Sequence, residues 1–273
     1  MLELLQQSPL ALITVTALVS LVVGSFLNVV IYRLPQQLEA QWSQEPSKHA
    51  FNIAVPASHC PSCQAPIKAW QNIPVISWLL LKGQCANCKT RISVRYPLIE
   101  AATGLFGGLL AWQVGFDPKL IYLLLCLYLC MAMFWIDIDH YLLPDTLTLS
   151  LLWAGLIANS MGLFTDLNSA VWGAIAGYLA LWLVFWGFKL ATGKEGMGYG
   201  DFKLLAAIGA WMGWQVLAIV ILVSSLVGAI LGIGAILLAG RDKAKPIPFG
   251  PYLILAAWIV YLFGVEIQAM LLI

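Results

Sequence analysis

The sequence predicts an all-α polytopic membrane protein with about eight transmembrane helices and a small polar segment between the first two. Its residues are 61% hydrophobic and only 10% charged, whereas a soluble domain carries roughly 25% charged residues. Several apolar runs reach the ~20 residues that a helix needs to cross a bilayer. The longest polar interval runs only from Arg33 to Arg95, which is below the usual ~100 residues of a separate soluble domain.

The predicted spans follow one another through short turns. In chain order they cover 9–31, 97–114, 119–138, 143–163, 169–190, two spans within 202–239, and 249–271. The first span is not expected to be a cleavable signal, because Glu3 is the only charge before it and signal peptides carry basic residues there. It is also long enough to stay in the bilayer.

The apolar run from Phe202 to Ala239 carries a single charge, on Lys203. As one helix it would measure about 57 Å at ~1.5 Å per residue, against a bilayer core of ~30 Å. We therefore expect two passes, with a break in the glycine-rich stretch Gly209–Trp214. The first helix of the two is then short, which lets Asp201 lie below the membrane surface beside a loop of glycines. Such a loop is tolerated at that depth only beside protein or a water-filled cavity.

Lysine and arginine positions set the predicted orientation. Of the 14 basic residues, only Lys119 falls on one side of the membrane, so the other side is expected to be cytoplasmic. Both termini are then periplasmic, and Asp137 and Asp201 lie at the same, cytoplasmic level. The predicted organisation is a first transmembrane helix (1–32), a cytoplasmic segment (33–96) and a seven-helix membrane core (97–273).

Two aspartates at the ends of separate spans are the first candidates for a functional site. Asp137 ends the third span, and Asp201 begins the sixth after Gly196-Met-Gly-Tyr-Gly200. A carboxylate in a membrane helix is costly unless it has a use. Asp137 and Asp139 point roughly 200° apart on a helix, so a partner for Asp137 must come from another helix. Asp201 is that candidate.

A close pair of carboxylates has a specific chemistry. The two cannot both ionise easily, so the pair shares one proton near neutral pH. The ionised member can take a proton from water while the protonated member polarises a scissile carbonyl. This would hydrolyse a peptide bond without a covalent intermediate. Spacing alone leaves two other interpretations open, namely helix capping at the interface and cation binding in a transporter.

Neighbouring polar residues have simpler interpretations. Asp145 follows Pro144, which fits the first helical position, and a carboxylate suits the first turn. Asp139 is expected to be solvated beside His140. Lys203 is expected to extend its ammonium group to the surface.

The glycines and Glu100 leave alternatives open. The glycines from Gly196 to Gly200 could form a flexible connector, an anion-binding nest, or an opening that lets an extended substrate approach the carboxylate. The lysine and serine of a phosphate-binding loop do not follow them, so a nucleotide site is not expected. Glu100 could be a second buried carboxylate, or it could pair with Arg91 or Arg95.

Four cysteines predict a metal site in the polar segment. Cys60 and Cys63 form one Cys-x-x-Cys pair, and Cys85 and Cys88 form another, with residues 64–84 between them. Each pair offers two thiolates, and two pairs complete a tetrahedron around Zn²⁺. Disulfides are the alternative, but the cytoplasm is reducing. The segment is too small to build much core, so a structural metal would supply folding energy.

The motifs together resemble the type IV prepilin leader peptidase and N-methyltransferase family, membrane aspartic proteases with a Gly-x-Gly-Asp motif. The resemblance covers nearly the whole chain. It is carried by Gly24–Pro35, the two Cys-x-x-Cys pairs, Arg95–Glu100, Asp137–His140 with Leu143–Asp145, Gly198–Lys203 and Pro248–Pro251.

The resemblance implies a set of site residues. The catalytic pair would be Asp137 and Asp201. The supporting motif residues would be Gly198, Gly200, Lys203, Asp139 and Asp145. Zn²⁺ would be structural, and S-adenosylmethionine would be the methyl donor. No glycine-rich loop for that donor is visible, so no donor-binding residues are predicted.

The resemblance also implies partners and location. The substrates would be prepilins and pseudopilins of type IV pilus or type II secretion systems, cleaved at the cytoplasmic face of a bacterial inner membrane and then methylated at the new N-terminus. Pilus or secretion assembly proteins are further expected partners, and nucleic acid is not. Two competing hypotheses are a cation-coupled transporter that uses the buried acids, and an assembly protein whose zinc segment binds a secretion ATPase.

Overall fold

A computed structural model of the chain describes residues 2–43, 52–239 and 248–271. These residues form α-helices and two short 3₁₀ helices, with isolated β-bridges but no strand among them. The α-helices are α1 Leu2–Gln7, α2 Pro9–Trp42, α3 Ile76–Leu80, α4 Arg95–Val114, α5 Pro118–His140, α6 Asp145–Ser160, α7 Leu167–Thr192, α8 Tyr199–Met212, α9 Leu217–Ala239 and α10 Gly250–Leu271. The predicted all-α class is confirmed over this part of the chain. The predicted polar loop 241–245 lies outside the described residues.

Four of the described helical stretches are long and apolar enough to cross a membrane. They are Pro9–Trp42, Pro118–His140, Leu167–Thr192 and Trp214–Leu231, and Gly250–Gly264 is a shorter apolar helix. The helices α4, α6 and α8 are shorter or less apolar than these. A membrane protein is therefore supported, and the number of eight spans stays a prediction.

The chain divides into two compact units, Met1–Ala132 and Met133–Ile273. In the first unit α2 packs along α4 through glycines. A Cβ atom on Gly107 would lie 2.1 Å from Ser20 Oγ, and one on Gly104 would lie 2.6 Å from Leu21 Cγ. Small residues of this kind let membrane helices approach closely where no hydrophobic effect drives them together.

In the second unit the short helix α8 is surrounded by its neighbours. Its residues from Asp201 to Trp211 are buried apart from Lys203. The backbones of α7 and α8 touch where Gly173 faces Gly209, since a Cβ atom on Gly209 would lie 2.1 Å from Gly173 O. The α8 backbone is thereby held in one position, and Asp201 is held with it.

A buried asparagine fixes the other end of α8 to α6. Asn159 is 2% exposed, and its Nδ2 donates to the carbonyls of Ala210 and Trp211 at 2.8 and 3.1 Å. Its Oδ1 accepts from the amides of Phe164 and Thr165 at 3.1 and 3.0 Å. One side chain therefore satisfies four backbone groups, which matters because an unpaired buried polar group is costly.

Two boundaries can be compared directly with the sequence-based prediction. The break in 202–239 is confirmed, because α8 ends at Met212 and Gly213 adopts φ +84°. The first span was predicted to end at residue 31, but α2 continues through Pro35 to Trp42. Its extension is helical because Ile31, Leu34 and Pro35 are buried in the first unit, and tertiary burial outweighs the single amide donor that Pro35 lacks.

Candidate active site

Asp137 lies near the end of α5 and is 5% exposed. Its Oδ2 accepts a hydrogen bond of 3.0 Å from the amide of Gly250, the first residue of α10. Gly250 is required at this contact, because a Cβ atom there would lie 2.6 Å from the same oxygen. Asp139 is exposed on the other side of α5, as the helical spacing predicts.

Asp201 lies in the first turn of α8 and is 8% exposed. Its amide donates to Gly198 O at 3.3 Å. Gly200, the residue before it, and Gly250, the donor to Asp137, both pack against the side chain of Leu143. The structure therefore brings together the two carboxylates that the sequence proposed as a pair, from separate helices of one unit.

Leu143 joins the two halves of this site. A Cβ atom on Gly200 would lie 2.7 Å from Leu143 Cβ, and one on Gly250 would lie 3.1 Å from Leu143 Cδ1. The buried leucine side chain therefore packs against the residue before Asp201 and against the residue that donates to Asp137. Apart from the place of Leu143 in the Leu143–Asp145 motif, nothing in the sequence indicates this role.

The three glycines before Asp201 serve different purposes. Gly200 allows the close packing of Leu143, and Gly196 lies beside the ring of Phe188. Gly198 has φ −82°, which any residue can adopt, and a Cβ atom there would lie 3.8 Å from Asp201 Oδ2, an ordinary contact. Gly198 and Tyr199 are both exposed, so the approach to Asp201 is open on this side.

The supporting residues Lys203 and Asp145 form an ion pair. Lys203 Nζ donates to Asp145 Oδ1 at 2.6 Å, which ties the start of α8 to the start of α6. Lys203 thus extends toward an exposed carboxylate at the surface, but the sequence did not predict its ion pair with Asp145. Asp145 begins α6 as expected, but Pro144 is the residue before the helix rather than its first residue.

The four cysteines of the polar segment converge in the first unit. Their Sγ atoms all lie within 4.8 Å of one another, with 3.8 Å between Cys60 and Cys88 and 4.0 Å between Cys63 and Cys85. A tetrahedral zinc site with Zn–S bonds of about 2.3 Å places its sulfur atoms about 3.8 Å apart. The cluster could therefore hold a metal ion, and His59 lies aside, bonded to Ala57 O.

Local contacts favour the thiolate at Cys85 and Cys88 but not at Cys60, whose pKa is raised. The side chain of Thr90 lies 3.2 Å from Cys88 Sγ and lowers the pKa of that thiol to about 6. The backbone amide of Cys88 lowers the pKa of Cys85. Thiolates are the form that binds metal, so the contacts at Cys85 and Cys88 favour binding of a cation by these two sulfur atoms.

Comparison with known proteins places the chain in a family. Residues 18–114 match the bacterial peptidase A24 N-terminal domain, and residues 123–233 match the type IV leader peptidase family. A relative from Stutzerimonas stutzeri named prepilin leader peptidase/N-methyltransferase is 53% identical over 98% of this chain and 96% of its own length.

The chain belongs to the type IV leader peptidase family. Relatives of the same name from Pseudomonas aeruginosa and Neisseria gonorrhoeae are 52% and 47% identical, covering 98% and 93% of this chain and 96% and 91% of their own length. No solved structure matches the chain.

The two family matches fall on different parts of this leader peptidase family member. The match to the leader peptidase family proper contains Asp137 and Asp201, whereas the N-terminal match contains all four clustered cysteines and Glu100. Gly250 lies beyond both matches. Sequence reasoning noted the motif around Gly250 without assigning it a role, because its function is a tertiary hydrogen bond to Asp137.

Proposed function

We propose that the chain is a membrane aspartic endopeptidase that removes the leader peptide of type IV prepilins and pseudopilins and N-methylates the new N-terminal residue. This activity would support type IV pilus biogenesis, type II secretion or both. The observation that carries the peptidase is the burial of Asp137 and Asp201 in one unit, where their neighbours Gly250 and Gly200 pack against the same leucine side chain, Leu143. The names of the relatives supply the substrate and the second activity.

In this proposal the aspartate pair holds one proton and one water. The ionised carboxylate takes a proton from the water, whose oxygen attacks the scissile carbonyl, while the protonated carboxyl donates to the carbonyl oxygen. The resulting tetrahedral diol collapses when the carboxyl that took the proton from water donates it to the amide nitrogen, the C–N bond breaks, and the other carboxylate takes back a proton from a diol hydroxyl. The products are a leader with a new carboxylate and a pilin with a free α-amine.

The surroundings of the pair suit this chemistry. The Gly250 amide restricts the rotation of the Asp137 carboxylate, and the close packing of α7 on α8 holds the backbone that carries Asp201. Positioning of this kind contributes to rate because misplacement of a reacting group by about 1 Å can cost about 10²-fold. The open side at Gly198 and Tyr199 would admit an extended substrate backbone.

The membrane arrangement is part of the proposal. We propose eight spans in a bacterial inner membrane, organised as a first helix (1–32), a cytoplasmic segment (33–96) and a seven-helix core (97–273). Both termini would be periplasmic, and the aspartate pair and the cysteine cluster would face the cytoplasm. The basic residues of the loops support this orientation. Pilus or secretion assembly proteins remain proposed partners.

Two further groups complete the proposed enzyme. The cysteine cluster would hold a structural Zn²⁺, which the sulfur spacing supports. S-adenosylmethionine would supply a methyl group activated on a sulfonium. A sulfonium donor and an ammonium acceptor are both cations, so a nearby carboxylate would reduce the repulsion between them. Glu100 in the first unit, 8% exposed, is a buried acid outside the aspartate pair.

The peptidase proposal is tested with purified full-length protein and a prepilin in detergent. Asp137→Asn and Asp201→Asn keep the shape of each side chain and remove its acid, so each should lower the cleavage rate by at least about 10²-fold. Asp117→Asn neutralises an exposed acid in a turn and should cleave at the normal rate. Cleavage that survives either change in the pair would remove the two-carboxylate mechanism.

A further inference from the structure

A third buried acid, Glu100, lies outside the aspartate pair. It is on α4 in the first unit and is 8% exposed. Its Oε2 accepts a hydrogen bond of 2.7 Å from the amide of Val75. The sequence left open whether Glu100 is buried or pairs with an arginine, and the buried alternative is the one that the structure supports. An acid at such a site is costly to retain unless it has a use.

The backbone donor to Glu100 comes from a strained turn. Val75 has φ +61° and ψ −50°, and Ile76 N donates to Pro74 O at 2.6 Å, so Val75 is the centre of a rare, strained γ-turn. A β-branched residue in this region is an outlier, and outliers of this kind cluster at functional sites. Val75 lies between the two cysteine pairs, so the metal-binding segment itself delivers the donor to the acid.

Glu100 is also held from the side of α2. A Cβ atom on Gly24 would lie 2.9 Å from Glu100 Cα, so the two backbones are in contact and the backbone of Glu100 cannot move closer to α2. Its bond to Val75 occupies one oxygen, and Oε1 has no hydrogen-bond partner among the described residues. Among the described residues, Oε1 is not one of the fully buried polar atoms that lack a hydrogen bond, so part of its surface is accessible. It is therefore placed to accept from a ligand.

The position of Glu100 separates it from the peptidase chemistry. The match to the leader peptidase family begins at residue 123, and Glu100 lies in the N-terminal match, 18–114. The relatives carry two activities in their name, and the aspartate pair accounts for one of them. The second activity acts on the free α-amine that cleavage produces.

We propose, building on the proposed function above, that Glu100 is the catalytic residue that binds the α-ammonium group of the cleaved pilin and removes its proton. An α-ammonium has a pKa of about 7.7–8.0 and is mostly protonated at neutral pH, so it has no lone pair to accept a methyl group. A buried carboxylate attracts the cation and takes the proton.

The methyl transfer conserves atoms and charge. The proton moves from the α-ammonium to Glu100 Oε1, and the freed lone pair of the nitrogen attacks the methyl carbon of the sulfonium donor. An N–C bond forms as the S–C bond breaks, and the sulfonium leaves as a neutral thioether. The product is a methylated ammonium, and Glu100 returns its proton to water. The Val75 amide keeps the carboxylate turned toward the substrate throughout.

The competing interpretation is that Glu100 only anchors the Val75 turn to α4. Glu100→Gln separates the two, because its amide oxygen still accepts from the Val75 amide but carries neither charge nor basicity. Full-length protein with its metal is given prepilin and S-adenosylmethionine, and mass spectrometry counts uncut, cut and cut-and-methylated pilin. Glu195→Gln, which neutralises an exposed acid of the second unit, is the matched control.

For Glu100→Gln we expect methylation to fall by about 10²-fold or more, the usual effect of losing a general base, while cleavage changes less than about threefold. Without a methyl donor, wild type should bind a free-amine pilin peptide more tightly than its N-acetylated form, and Glu100→Gln should bind both alike. Unchanged methylation, or an unchanged preference for the free amine, overturns the proposal.

Loss of cleavage together with methylation in Glu100→Gln also overturns it, because Glu100 would then support the whole fold. Failure of the wild-type protein to cleave prepilin would instead count against the proposed function itself. Glu100→Asp provides a second variant, since it restores the acid on a shorter side chain. It should recover part of the methylation that Glu100→Gln loses, whereas an anchoring role predicts that Gln performs better than Asp.

Discussion

Gly250→Ala tests the geometry of the aspartate pair without removing any of its chemical groups. The alanine amide can still donate to Asp137. Its Cβ atom, however, would lie 2.6 Å from Asp137 Oδ2, whereas ordinary contact begins at 3.4 Å. The carboxylate must therefore move by about 0.8 Å, because a carbon and an oxygen cannot approach so closely. Leu143 Cδ1 and Cδ2, at 3.1 and 3.2 Å from the same Cβ position, leave the new methyl group little room to turn away.

A shift of this size should lower kcat for leader cleavage by about 10²-fold, since about 1 Å of misplacement has that effect on a positioned group. The KM for prepilin should change little, because Gly250 is buried and is not expected to touch the substrate. Methylation of a pilin supplied already cleaved should proceed normally. The assay is single-turnover cleavage of prepilin by purified protein, followed by mass spectrometry.

Gly187→Ala is the matched control, because it makes the same change in a helix where a Cβ atom meets nothing within 4 Å. It should cleave like wild type and be slightly more stable, since alanine favours helix over glycine by up to ~1 kcal/mol. If Gly250→Ala cleaves within about threefold of wild type, the contact between Gly250 and Asp137 does not set the rate, and the reasoning from fixed carboxylates is wrong.

Three further changes test other contacts. Lys203→Ala removes an ion pair whose Asp145 side chain is 60% exposed. The free energy of unfolding should therefore fall by less than ~1 kcal/mol. A larger fall, measured by thermal denaturation, would contradict an ion pair that is screened by solvent. Asn159→Ala leaves four backbone groups without their partner and should destabilise the protein by roughly 2–4 kcal/mol. In the same thermal assay, a melting temperature of Asn159→Ala within error of wild type would refute this expected destabilisation. Cys60→Ser should lower bound zinc measured by elemental analysis, whereas Cys126→Ser, outside the cluster, should not; equal zinc in both would exclude the cysteine site.

Local patterns were sufficient for much of the architecture. Apolar run lengths predicted helices, the glycines near Gly209 predicted the break after α8, and the two cysteine pairs predicted a cluster. The proximity of Asp137 and Asp201 was predicted from their positions at helix ends and from the orientation that the basic residues predict. Each of these features depends on residues that are close in the sequence or on how the chain partitions into a bilayer. Both can be judged from the sequence alone.

Contacts between distant residues were not predictable in the same way. Nothing near Gly250 indicates that its amide donates to Asp137, and nothing near Val75 indicates a strained turn directed at Glu100. The ion pair of Lys203 with Asp145 was missed because each residue had a sufficient local explanation. Such contacts arise only when separate helices are packed, so their signal lies in the three-dimensional arrangement.

The extension of α2 beyond residue 31 changes how the segment that carries the four clustered cysteines should be studied. Arg33, buried in this extension, donates through Nη1 to the carbonyls of Asn52 and Ile53, each at 3.2 Å. These two hydrogen bonds hold the chain at Asn52 and Ile53 against α2, the helix that contains the first candidate membrane span. An isolated peptide that contains the four cysteines would lose these hydrogen bonds. Such a peptide could bind metal without adopting its native conformation. Studies of such a fragment would then underestimate how well ordered this segment is in the intact protein.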